Sequence, residues 1–197
     1  MNETNSEPMC DTQGYLTPEQ FEHLISYAKR SRDMVLFRFF FGTGRRVSEV
    51  VRAIKPEDFN FRDSMVRFKI EKRKRLSPLW INVNREVMDM MKDYIAATGI
   101  GPEDYIFPIN RFRVDQIIKD MGLRAGMEYV GKHKIHVHML RHSFAIAMAK
   151  LTKDMNEMKK LQALMGHANI NSTSYYLDHF NPEEMTEFVN RKDDKNE

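Results

Sequence analysis

At 197 residues, with 42% hydrophobic and 30% charged side chains, the chain has the size and balance of a water-soluble globular domain with its own core. No stretch reaches the roughly 20 consecutive apolar residues that cross a membrane, and Met1-Asn2-Glu3-Thr4 has neither the basic nor the apolar region of a signal peptide. The single Cys10 excludes an internal disulfide, and the expectation is a cytoplasmic protein with no membrane partner. A net charge of +3 is too small to point to nucleic acid by itself, but Lys69-Ile70-Glu71-Lys72-Arg73-Lys74-Arg75 packs five basic groups into seven positions. Such a cluster either neutralises several phosphates or forms a solvated turn.

Residues 1–14 are polar and aperiodic and are expected to form a flexible arm. Thr17-Pro18-Glu19-Gln20 reads as a helix start, with Thr as cap, Pro at the first helical position and Gln completing a capping box. Phe21, Leu24, Ile25 and Ala28 continue it at helical spacing. Met34 to Phe41 is an apolar run that suits a buried helix, Gly42-Thr43-Gly44 ends it, and a short helix is expected from about Val47 to Ala53. Met65 to Ile70 alternates as a strand does, with Leu76 to Val83 as its partner and Glu71 to Arg75 as the turn. Helices are expected at about Arg85–Ala97, Val114–Gly122, Met139–Lys150, Glu157–Met165, Ser172–Leu177 and Pro182–Val189, before a charged tail from Arg191 to Glu197. The class is mainly α with one small antiparallel β-sheet (α+β), without internal repeats.

Several residues along this frame carry chemistry. Arg46 and Glu49 are three apart at a helix start and share a face; an Arg fork binds two phosphate oxygens, whereas the plain alternative is a surface ion pair. His138 and Arg141 are also three apart, at the opening of an apolar helix whose dipole favours an anion. His133, His136, His138 and His142 crowd together, and His138 with His142 has the spacing of a zinc pair. No Glu lies between those two and no Cys is near, so no metal site is expected. His167 follows Gly166, a usual helix stop, and Tyr175-Tyr176 lies just beyond. Two Arg, two His and one Tyr suffice to hold a phosphodiester and attack it with a phenol.

Taken in order, Thr43-Gly44-x-Arg46-x-Ser48-Glu49, His138-x-Leu140-Arg141-His142, Leu164-Met165-Gly166-His167 and the following Tyr176 resemble the catalytic domain of the tyrosine recombinases, or phage-type integrases. The small sheet with its basic turn fits as well, and the resemblance spans roughly residues 15–190. It implies site-specific DNA recombination: Tyr176 attacks the scissile phosphate, forms a 3′-phosphotyrosine and releases a 5′-hydroxyl, while Tyr175 packs. The bond energy stays in the covalent link, so no cofactor and no metal is implied. Arg46 and Arg141 would clamp the non-bridging oxygens, His138 would accept the tyrosine proton, and His167 would donate to a phosphate oxygen. Glu49 and His142 would support this shell.

The resemblance also implies a general-acid Lys in the turn between the strands. The Gly-Lys-Gly pattern of many members is absent here, and Lys72, placed at the turn apex, is chosen ahead of Lys74 and Lys69. Lys69, Arg73, Lys74 and Arg75 would then bind backbone phosphates. The implied partners are double-stranded DNA and further copies of the chain, as a tetramer on synapsed DNA at the nucleoid, with the apolar edge of Asn181 to Val189 docking either on its own domain or on a neighbouring copy. The helical core-binding domain that commonly precedes the catalytic domain is expected to be absent. Two other readings share these residues: nicking and resealing like a type IB topoisomerase, and a DNA-binding module that has lost catalysis.

Overall fold

The computed structural model describes residues 14–72, 75–152 and 155–165. It opens on helix α1 (Pro18–Ile25), whose capping box forms as the sequence predicts: the Thr17 hydroxyl accepts from the Gln20 N–H at 3.2 Å, and the Gln20 side chain accepts from the Thr17 N–H at 2.9 Å. Phe21 of α1 stacks on Phe41 at 4.0 Å between ring centroids, which fixes α1 on the next helix, α2 (Ser31–Thr43).

α2 is the core helix. Val35, Leu36, Phe37, Phe39 and Phe40 are all buried, so apolar surface covers more than one of its faces. A fully buried side chain of this kind contributes about 1.5–3 kcal/mol. α2 ends at Gly44, in the left-handed conformation (φ 61°), whose N–H caps the Phe40 carbonyl at 2.9 Å.

Helix α3 (Val47–Val50) follows and is shorter than the sequence predicts, stopping three residues before Ala53. Arg52 has a positive φ of 50°, which a continuing helix cannot accommodate. A turn of 3₁₀ helix (Pro56–Asp58) leads into a three-stranded antiparallel sheet of β1 (Phe59–Asn60), β2 (Met65–Lys72) and β3 (Arg75–Asn82), in that order. Val66 and Phe68 face the core, and Phe68 and Phe59 meet Phe39 of α2 at 6.1 and 5.9 Å. Both long strands run past their predicted ends on the turn side, to the pair Lys72↔Arg75. Lys72 therefore closes a strand instead of sitting at the turn apex. The pairing continues because the basic run keeps an extended backbone and each further residue adds a ladder hydrogen bond.

Helices α4 (Arg85–Thr98) and α5 (Arg111–Arg124) match their expected ranges to within three residues at either end. A short hairpin, β4 (Tyr129–Val130) with β5 (His133–Lys134), is too brief to show as alternation. It turns the chain into α6 (His138–Leu151). The chain divides into two compact units within α6, between Phe144 and Ala145. In the second unit, α7 (Met155–Met165) buries Leu161 and Met165. The helices expected at Ser172–Leu177 and Pro182–Val189, the arm before Gly14 and the tail lie outside the described residues.

Gly44 tests this arrangement. A Cβ there would lie 2.3 Å from Cδ1 of Phe144, on a backbone that side chains rarely adopt. Gly44→Ala is expected to lower stability by roughly 1–3 kcal/mol, read as the shift in denaturation midpoint.

Candidate active site

The first unit brings the predicted arginines of two distant segments to one corner. Arg46 is the N-cap of α3, and Glu49 holds it twice: the Arg46 backbone N–H donates to Oε2 at 3.0 Å and its Nη1 donates to Oε1 at 3.0 Å. The Glu49 side chain is only 8% exposed, while that of Arg46 is 41% exposed. The carboxylate is thus fixed in the protein, and the guanidinium it orients reaches the surface.

Arg141, in the first turns of α6, is buried, and its Nη1 donates to the carbonyl of Gly44 at 2.7 Å. This bond joins residues 97 apart and sets Arg141 against the turn that carries Arg46 two positions on. Phe144, from the same helix, lies against Gly44 where any side chain would intrude. The start of α6 is held from a second side by Ser143, whose hydroxyl donates to the Met139 carbonyl and accepts from the Leu16 N–H, both at 2.8 Å.

One member of the corner was not expected. Arg45 is more deeply buried than Arg46, with its side chain 1% exposed. Its Nη1 lies 3.8 Å from Glu49 Oε2, and its guanidinium sits over the Phe68 ring at 5.6 Å. Burial pushes its pKa down, Glu49 opposes that shift, and the neighbouring Arg46 charge adds to it. A second Arg four residues before a buried Glu was the available signal; charged residues are so rarely buried that it reads as surface.

His138 and His142 stand one turn apart on α6, their rings edge to face at 4.8 Å and 89°. His138 is exposed and His142 half-buried. Burial lowers the His142 pKa to about 4, with further contributions from His138, His136, Arg141 and His133, so His142 is neutral at physiological pH. The His136 ring bonds the Lys134 carbonyl at 2.9 Å. Among the described residues no group of three or more His, Cys, Asp or Glu converges to hold a metal ion.

Lys69 is exposed, on the opposite side of β2 from Val66 and Phe68. Lys72 and Arg75 are placed by their backbones, as the last pair of the hairpin. Arg73, Lys74, His167, Tyr175 and Tyr176 lie outside the described residues.

The fold is that of a tyrosine recombinase catalytic domain. The XerA recombinase crystal structure superposes with a TM-score of 0.68 at 24% identity, over 90% of this chain and 64% of that one. The XerH site-specific recombinase bound to its difH substrate gives 0.67 at 19%, over 96% and 57%. The phage integrase family model matches residues 14–183. A tyrosine recombinase of Pseudothermotoga lettingae is 30% identical over 184 residues, 90% of this chain and 60% of that protein. The chain belongs to the phage integrase family. It spans about half to three-fifths of the length of the relatives it matches.

His142 makes the site's pH response testable. Unfolded, it takes a proton below about pH 6.5; folded, not until about 4. In that interval the unfolded chain binds more protons, so stability rises with pH and levels off above it. The melting temperature is expected to climb from about pH 4 to 6.5, and His142→Asn to flatten the climb. Equal slopes in the two proteins would exclude a buried neutral His142.

Proposed function

We propose that the chain is the catalytic part of a site-specific recombinase that cleaves and rejoins double-stranded DNA through a 3′-phosphotyrosine at Tyr176. The observation that carries this reading is the bond from Arg141 to the Gly44 carbonyl, which brings the two arginines of the family pattern to one turn. A Glu49-held Arg46 and a buried Arg141 are fixed cations, already oriented before substrate arrives. They suit the charge that builds on the non-bridging oxygens of a pentavalent phosphorus.

In this reading the Tyr176 oxygen attacks phosphorus, its proton passes to His138, and the 5′-oxygen leaves. His167 donates to a phosphate oxygen. Lys72 remains the choice to protonate the leaving oxygen; its place at the end of β2 puts it beside the turn, with Lys74 and Lys69 as the other candidates. Reversal of the step with a different 5′-hydroxyl completes strand exchange, with no metal or nucleotide consumed. Lys69, Arg73, Lys74 and Arg75 bind backbone phosphates, which position the duplex without reading its bases. Four copies on two synapsed duplexes, coupled through Asn181 to Val189, complete the reaction in the cytoplasm at the nucleoid. Support for DNA as the partner comes from XerH, which shares the fold and was solved on its difH substrate.

The test is capture of denaturant-resistant protein–DNA adducts from fragmented genomic DNA of the source, followed by sequencing. Adducts at a few shared sequences are expected, and Tyr176→Phe is expected to abolish them while duplex binding survives. Adducts lost with Tyr175→Phe instead would reassign the nucleophile. Arg141→Ala is expected to slow adduct formation by roughly 10²–10³-fold, as for loss of a transition-state donor. Adducts with relaxed plasmid and no recombinant product would favour nicking and resealing alone.

A further inference from the structure

We infer that Arg45 is a positioning residue for this reaction, a buried charge that shares Glu49 with Arg46 and so weakens that carboxylate's competition with the scissile phosphate for the Arg46 guanidinium. The inference rests on the recombinase reading above and adds to it a residue that reaches no substrate.

The geometry divides the carboxylate between two cations. Oε1 of Glu49 takes the Arg46 side chain at 3.0 Å; Oε2 takes the Arg46 backbone N–H at 3.0 Å and faces Arg45 Nη1 at 3.8 Å. With Arg45 absent, Glu49 would stand as a full counter-charge to Arg46, and an incoming phosphate would compete with it for the guanidinium. With Arg45 present, part of that negative charge is already engaged from behind. Arg45 itself is 1% exposed and packed over Phe68, so it cannot meet the phosphate directly. Arg45 and the Glu49 carboxylate it faces are both buried, so their interaction is weakly screened by solvent. Arg45 also constrains the carboxylate that holds Arg46 in one orientation.

A purely structural Arg45 makes a different forecast. Exchanging a buried charge for an apolar side chain of similar volume is often neutral or stabilising, so Arg45→Met suits a folded comparison and Arg45→Lys retains the charge. The experiment measures three quantities for wild type, Arg45→Met and Arg45→Lys: thermal stability, single-turnover adduct formation on a captured site, and affinity for the same duplex across a salt series. Arg45→Met is expected to stay folded and to slow adduct formation about tenfold, less than loss of a direct donor. It is also expected to weaken duplex binding several-fold with an unchanged salt slope, because the deleted charge touches no phosphate. Arg45→Lys is expected to recover most of both losses.

Unchanged rate and affinity in a folded Arg45→Met would overturn the inference while the recombinase reading stands. A salt slope lowered by about one would also overturn it, by showing direct phosphate contact. Equal losses in Arg45→Lys and Arg45→Met would overturn the charge argument. If wild type forms no adduct, the recombinase reading fails, and the binding series still decides whether Arg45 acts through Arg46.

Discussion

The geometry of the site depends on how closely α6 approaches the turn at Gly44. Three requirements meet at that residue. Its N–H closes α2 on the Phe40 carbonyl, its missing Cβ leaves room for the Phe144 ring, and its carbonyl accepts the buried Arg141 guanidinium at 2.7 Å. Each depends on the others. A residue with a side chain would push Phe144 and the start of α6 away and would disturb the bond from Arg141 to the Gly44 carbonyl. Arg46 begins α3 two residues later, so any change in how α2 ends re-aims it as well. Packing and electrostatics are inseparable here, because the contact that seals the core also spaces the two arginines.

The same corner concentrates charge where proteins usually avoid it. Arg45, Glu49 and Arg141 are all buried, and Arg46 is half-exposed. Among the described residues Glu49 faces both Arg45 and Arg46, and burying such charges is costly for stability alone. In the recombinase reading that cost is offset by cations already oriented for the charge that builds on a phosphodiester. The half-buried, neutral His142 belongs to the same balance. Burial of its ring is the main cause of the depressed pKa of about 4, and the neighbouring His138, His136 and Arg141 add to it.

Much of this was legible in the residues. The Thr17 capping box, the α2 apolar run and the alternation around Val66 and Phe68 are local signals, and the structure follows them. The pairing of Arg46 with Glu49 was legible because three residues of helix bring two side chains together. What failed was non-local. The hairpin extends to Lys72↔Arg75 because cross-strand pairing is decided by the partner, while the basic composition suggested a loop. The burial of Arg45 depends on Phe68, which lies 23 positions away and on a different element. The contact of Arg141 with Gly44 spans 97 positions and leaves no periodic trace. The short pair Tyr129–Val130 and His133–Lys134 has too few residues for alternation to register.

The division between titrating and non-titrating groups bears on how such a site would work. In the recombinase reading Arg46 and Arg141 clamp the phosphate by charge alone and exchange no proton. The dry carboxylate that orients Arg46 and the buried Arg45 behind it make that clamp a fixed field that needs no reorganisation when phosphate binds. Proton movement is then left to the groups the recombinase reading assigns to it: a tyrosine that loses a proton, an exposed imidazole on α6 that takes it, and a lysine near the hairpin turn that supplies one. An enzyme built this way would separate charge stabilisation from proton transfer, holding the first in the buried corner and leaving the second to other side chains. Such a separation would let the same fixed cations serve cleavage and rejoining equally, since both directions pass through the same pentavalent phosphorus and differ only in which oxygen carries the proton.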